Sequence, residues 1–144
     1  MEAVTRDRIP LGARDVALCL LVAVDCLLIN ALVVAQRPTL GSFGPIAVAY
    51  HDKQPSLLGI ALVVGCLLAG TVLRGGGRLG VLLLVGGAAA NLASPTIWDR
   101  GIPDYVVFGR LNTVMNLSDI LMITAGALVV VSSTAQLLRA RHGR

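Results

Sequence analysis

The stretch VALCLLVAVDCLLINALVVA, Val16 to Ala35, has no counterpart in the core of a small soluble domain, and it is the first of four such runs. The others are Leu57 to Leu73, Leu79 to Trp98 and Ile120 to Leu138. Crossing a hydrocarbon core of about 30 Å takes roughly 20 helical residues, so each run is long enough, or nearly so, to span a membrane. Composition agrees: 56% of the 144 residues are hydrophobic and 14% charged, and the mean hydropathy is +0.81. These values belong to a membrane protein. The sequence therefore predicts an all-α membrane protein, residues 1–144 forming a single integral domain with four transmembrane helices in a compact bundle.

Arg6, Arg8 and Arg14 ahead of the first run would also suit the basic region of a signal peptide. The run is longer than a signal core and carries Asp25 at its centre, which favours a retained helix. Runs two and three are joined by RGGGR (74–78), the mark of a helical hairpin. Eight arginines (6, 8, 14, 74, 78, 139, 141 and 144) fall on one side of this arrangement, and Arg37, Lys53, Arg100 and Arg110 on the other. The positive-inside rule then places both termini in the cytoplasm. The net charge of +4 reflects topology and contact with lipid headgroups. No basic surface interleaved with aromatics points to nucleic acid.

Two segments lie outside. Residues 36–56 contain IAVAY (46–50), a short stretch of strand character between Pro and Gly, which predicts a small extracytoplasmic β-like element. Residues 99–115 form the second outer segment, and the two together are placed to close over one site. In the second span Ala61, Gly65 and Ala69 recur every four residues and predict a smooth face for a neighbouring helix. GGAAAN (86–91) repeats the theme in the third. Cys19, Cys26 and Cys66 read as small apolar side chains within spans, and His51 and His142 are too isolated to form a metal site.

Polar residues inside apolar runs usually face the bundle interior and mark function. Asp25 and Asn30 in the first span and Asn91 in the third qualify, and a structural reading stands beside this one, with Asp25 protonated and hydrogen-bonded to a neighbouring helix and Asn91 bonded across helices. Asn116 and Asp119, in NLSDI, open the last run. An Asn N-cap followed by an acid in the first turn is good helix chemistry in its own right. Asp104 lies in the loop before it, beside Pro103. Taken together, Asp104 and Asp119 stand at the outer ends of spans three and four. Carboxylates brought close cannot both ionise easily, so one retains a proton, and an acid and a base share a water.

In this combination GGAAAN (86–91), IPDYV (102–106) and MNLSD (115–119) resemble the core pattern of lipoprotein signal peptidase, signal peptidase II, a bacterial intramembrane aspartic protease. That pattern runs G-G-A-x-x-N-x-x-D-R, then a V-V-D-F-like stretch, then F-N-x-A-D at the last helix. The resemblance covers the four-helix layout and, in detail, the chain from Gly86 on. It implies that Asp104 and Asp119 are the catalytic pair, that Asn91 and Asn116 order them, and that Asp25 matches the acid of the family's first helix. It further implies a diacylglyceryl-modified prolipoprotein substrate and cleavage just before the modified cysteine at the outer face of the bacterial plasma membrane. No metal or cofactor is implied, and the expected state is a monomer.

The chain also departs from the pattern. Ser94-Pro95 stands where the family has D-R, and Asp99-Arg100 appears later, which makes Arg100 a candidate supporting residue. Ile29 stands where the first helix has a lysine one turn after its acid. The alternative reading is a catalytically inactive four-helix relative that binds lipopeptides or serves as a structural membrane subunit.

Overall fold

A computed structural model describes residues 10–36, 49–51, 57–98, 101–108 and 113–142. Four α-helices carry the chain: α1 (Ala13–Gln36), α2 (Leu57–Gly70), α3 (Gly76–Ile97) and α4 (Leu117–His142). Between them lie four three-residue strands, β1 (Ala49–His51), β2 (Ile102–Asp104), β3 (Val106–Phe108) and β4 (Thr113–Met115). Helices α1, α3 and α4 are long and apolar enough to cross a membrane, consistent with a multi-pass membrane protein. Helix α2 has 14 residues, about 21 Å at 1.5 Å per residue, and falls short of a hydrocarbon core. It ends three residues before the expected Leu73, in a turn where the Thr71 hydroxyl donates to Leu68 O at 2.7 Å. The RGGGR hairpin then reverses the chain through Gly75, whose φ of 55° lies in the left-handed region that glycine adopts without steric cost.

Helix α3 is the hub, packed against α4, α1 and α2, whereas α1 and α4 barely touch each other. Its small residues permit this. A Cβ built at Gly80 would sit 2.9 Å from Ala125 O and 3.2 Å from Val129 N of α4. At Gly86 it would sit 2.7 Å from Val22 Cβ and 2.9 Å from Cys19 O of α1. Two backbones thus approach α3 on different sides, as small residues allow where burial of apolar surface gives little drive between helices in lipid. On α1 the inward stripe is Ala23, Cys26 and Asn30, spaced one helical turn apart, with Ala23 and Cys26 packed on Ala90 of α3.

The small-residue stripe of α2 behaves otherwise. Ala61, Gly65 and Ala69 are all exposed, and no described residue lies within 4 Å of a Cβ at Gly65. Among the described residues no helix packs there. A helix apolar on every side carries no sequence signal for which face turns inward, and α2 meets α3 through Gly70, where an added Cβ would lie 3.1 Å from Val81 Cγ1.

The helices alternate in direction. Arg14 at the start of α1, Arg74 and Arg78 at the hairpin, and Arg139 and Arg141 in the last turn of α4 therefore gather at one end. There Arg78 binds Asp15 through two nitrogens, at 2.6 and 3.2 Å, and donates to Pro10 O at 3.0 Å. Asp15 in turn accepts the Gly12 N–H at 2.8 Å. The start of α1 is thereby pinned to the start of α3.

At the opposite end, β1 pairs antiparallel with β2, setting Ala49 against Asp104, Tyr50 against Pro103 and His51 against Ile102. The strand expected over 46–50 is described only from Ala49, and the rest of that outer segment lies outside the described residues. Strands β3 and β4 form a second antiparallel pair, with Val106 opposite Met115, and deliver the chain to α4.

Because α3 meets two backbones through glycine, Gly80→Ala and Gly86→Ala should each destabilise the fold by about 1–3 kcal/mol through overpacking. Gly65→Ala, in open space within a helix, should be neutral or stabilising by up to about 1 kcal/mol. Thermal unfolding of the three variants in detergent checks the contrast.

Candidate functional site

The strand end of the bundle holds most of the buried polar side chains, among them Asn30, Ser94, Asp104, Asn116 and Ser118. Asn116 organises them. It is the N-cap of α4, and its Oδ1 accepts the Asp119 N–H at 3.0 Å while Asp119 Oδ2 accepts the Asn116 N–H at 3.3 Å. This is a reciprocal capping box with Asn in the cap position and Asp three residues on. The amide end of the same side chain points the other way and donates to Asp104 Oδ1 at 2.9 Å. One asparagine therefore touches both carboxylates.

Asn91, nearly two turns before the end of α3, donates from Nδ2 to Asp119 Oδ1 at 2.8 Å. Both oxygens of Asp119 thus receive N–H groups, one from α3 and one from its own helix cap. Asp104 is held at the end of β2 with 1% exposure, a burial that a carboxyl group tolerates only with hydrogen-bond partners. The α3 terminus suits the task. Pro95 has no N–H to give the Asn91 carbonyl, which leaves a gap in the helical ladder beside the site. Ser94 donates to Ala90 O at 2.8 Å.

Tyr105 follows Asp104 and grips the start of α4 from two sides. Its backbone N–H donates to Met115 O at 3.0 Å, and its hydroxyl oxygen accepts the Leu117 N–H at 3.2 Å. The hydroxyl then donates to Asn30 Oδ1 of α1 at 2.9 Å. Burial pushes the Tyr105 phenol above its ordinary pKa, the Leu117 N–H pulls it back in part, and Asp104 and Asp119 act with burial. The group remains a neutral hydroxyl, able to donate and accept together, at every physiological pH.

The structure brings four of the six residues singled out from the sequence, Asn91, Asp104, Asn116 and Asp119, into one hydrogen-bonded set. Arg100 and its neighbour Asp99 lie outside the described residues. Asp25 does not join the set. It is exposed on α1, because neighbouring helical positions are about 100° apart and it is Cys26 and Asn30 that turn inward. Tyr105 had no expected part in the site, and Asn30 was expected to face the bundle interior without a named partner. The available signal was the spacing of Asn30 one turn beyond Cys26 and the polar tip of an aromatic next to Asp104. Around the set, Asn30 Nδ2, Asn91 Oδ1 and Ser118 Oγ are buried polar atoms with no partner among the described residues.

The class that emerges is a helical protein of membrane-spanning character with two carboxylates mounted on one asparagine at one end of the bundle. No protein-family model, curated protein or solved structure matches the chain.

Two outcomes test this geometry. Asn116→Ala removes a helix cap and a donor to a buried carboxylate, and should cost about 2 kcal/mol or more. Asn116→Ser should recover only the capping share, as read by thermal unfolding. For Tyr105, a folded pKa raised above the unfolded value means that stability is intact below about pH 10 and is lost as pH rises through the folded pKa. Between neutral pH and the alkaline range above about pH 10, Tyr105→Phe should therefore lose less of its own stability than the wild type loses, as read by denaturant unfolding at each pH with helix circular dichroism.

Proposed function

We propose that the chain is an intramembrane aspartic endopeptidase of the signal peptidase II type, a four-helix, multi-pass protein of the bacterial plasma membrane with its active site at the extracytoplasmic end. Its substrate is a prolipoprotein bearing a diacylglyceryl cysteine, presented from the surrounding lipid, and the enzyme acts as a monomer. The observation that carries the reading is the joint attachment of Asp104 and Asp119 to Asn116, with Asn91 on the second acid. These are the residues on which the sequence resemblance rests. Arg100 keeps the supporting place that the resemblance gives it, in the outer segment, whereas Asp25, exposed on α1, is left out of the site.

In the reaction, one carboxylate takes a proton from a water whose oxygen attacks the carbonyl carbon before the modified cysteine. The other, protonated, carboxyl donates to the carbonyl oxygen as negative charge develops there. Collapse of the tetrahedral intermediate breaks the C–N bond, the cysteine nitrogen leaves with a proton from the pair, and the signal peptide carries the new carboxylate. The roles belong to the pair, whose titration is shared.

One observation favours a second reading. The described partners of Asp119 are a capping box and an α3 asparagine, and that is also how a purely structural acid is held. In a silent relative that binds lipopeptides, the acids would serve architecture alone.

Cleavage of a diacylated prolipoprotein in detergent, read by gel shift, separates the two. The wild type should cleave, while Asp104→Asn and Asp119→Asn should each lose at least about 10⁴-fold in rate, the scale on which members of a catalytic unit fail. Both variants should remain inserted and helical. Full turnover by either one removes the protease reading.

A further inference from the structure

The residue pair Asp104–Tyr105 embraces the residue triplet Met115–Asn116–Leu117. Asp104 accepts from the Asn116 side chain, the Tyr105 backbone N–H holds the carbonyl just before Asn116, and the Tyr105 hydroxyl holds the N–H just after it. The Leu117 N–H is one of the donors that a helix start leaves without an intrahelical partner. Asn116 and Asp119 satisfy each other's N–H groups, but neither side chain serves this one, and the Tyr105 hydroxyl takes it. Its direction is fixed from behind: the phenolic proton goes to Asn30 Oδ1 of α1, 75 residues away in sequence, which leaves the lone pair aimed at Leu117. Asn30 is fully buried, with 0% exposure, so its side-chain oxygen has no ready alternative to this donor.

We infer that Tyr105 and Asn30 form a positioning relay that fixes the first turn of α4, and with it the placement of Asp119 against Asp104. The inference rests on the protease reading of that carboxylate pair. Neither residue is a catalytic group, because neither hydrogen bond of the relay ends on a carboxylate. They act through the backbone of the residues that flank Asn116. The sequence pattern that the chain resembles has Phe where Tyr105 stands, so the hydroxyl is a feature of this chain rather than of the pattern. It supplies a tie between α1 and α4, two helices that otherwise barely meet. Small displacements of a reacting group carry large kinetic penalties, up to about a hundredfold for roughly 1 Å, so a tie of this kind registers in kcat.

The test uses the full-length protein in detergent, with the diacylated prolipoprotein as substrate and amide hydrogen exchange as a second readout. Tyr105→Phe keeps the ring and removes only the hydroxyl. It should lower kcat by about tenfold to a hundredfold with KM unchanged, and exchange at the Leu117 amide should accelerate while the middle of α4 stays protected. Asn30→Leu should reproduce the kcat loss. The double variant should be no worse than the worse single one, because both changes break the same relay. Wild-type kcat in Tyr105→Phe, or losses that multiply in the double variant, would overturn the relay. If the wild type itself does not cleave, the protease reading fails, and Leu117 exchange still decides on the tie: unchanged exchange in Tyr105→Phe rejects it.

Discussion

Asn116 is the point through which the strand end of the molecule is assembled. A helix start must dispose of several backbone N–H groups that its own turns cannot satisfy, and in a chain of this hydropathy water is a poor recourse. Here the N-cap side chain accepts one of them, the Asp119 carboxylate accepts the N–H of the cap itself, and the Tyr105 hydroxyl accepts a third. Satisfying the helix end and presenting two acids are thus one arrangement. The amide group left over from capping turns to Asp104, which is how a carboxyl buried in a strand and a carboxyl in a helix come to share a residue.

The scaffold behind it follows from glycine and charge. Helix α3 can lie against both α1 and α4 because Gly80 and Gly86 remove the side chain where the neighbouring backbones pass. That contact brings Asn91 to Asp119 and the inward stripe of α1 to α3. At the other end the Arg78–Asp15 pair ties α1 to α3 where arginines cluster. The two ends divide the labour: one carries the ionic ties and basic residues, the other the buried amide–carboxyl network.

Much of this was legible in the sequence. The long apolar runs located α1, α3 and α4 to within a few residues, because run length is the strongest signal a spanning helix gives, and RGGGR located the reversal between α2 and α3. Asn91, Asp104, Asn116 and Asp119 could be nominated because polar residues at the edges of apolar runs are few. What stayed hidden was rotation. A helix apolar on all sides does not announce its inner face, so Asp25 was as eligible as Asn30, and the Ala61–Gly65–Ala69 stripe of α2 as eligible for packing as Gly80 and Gly86. Tyr105 was invisible for a different reason. Its role depends on a partner in α1 and on the start of α4, contacts that exist only once three segments have been brought together. The β3–β4 pair was likewise short and flanked by mixed residues, with no alternation to reveal it.

The proposed activity breaks one bond in one kind of substrate. The most direct measurement is mass spectrometry of the products formed by the purified wild type from a prolipoprotein supplied with and without its diacylglyceryl group. The account predicts a single cut in the lipidated form, immediately before the modified cysteine, with one oxygen of the released signal peptide's new carboxylate drawn from solvent water. Intact lipidated substrate after incubation with folded protein, or equal cutting of the unlipidated form at other bonds, would contradict it.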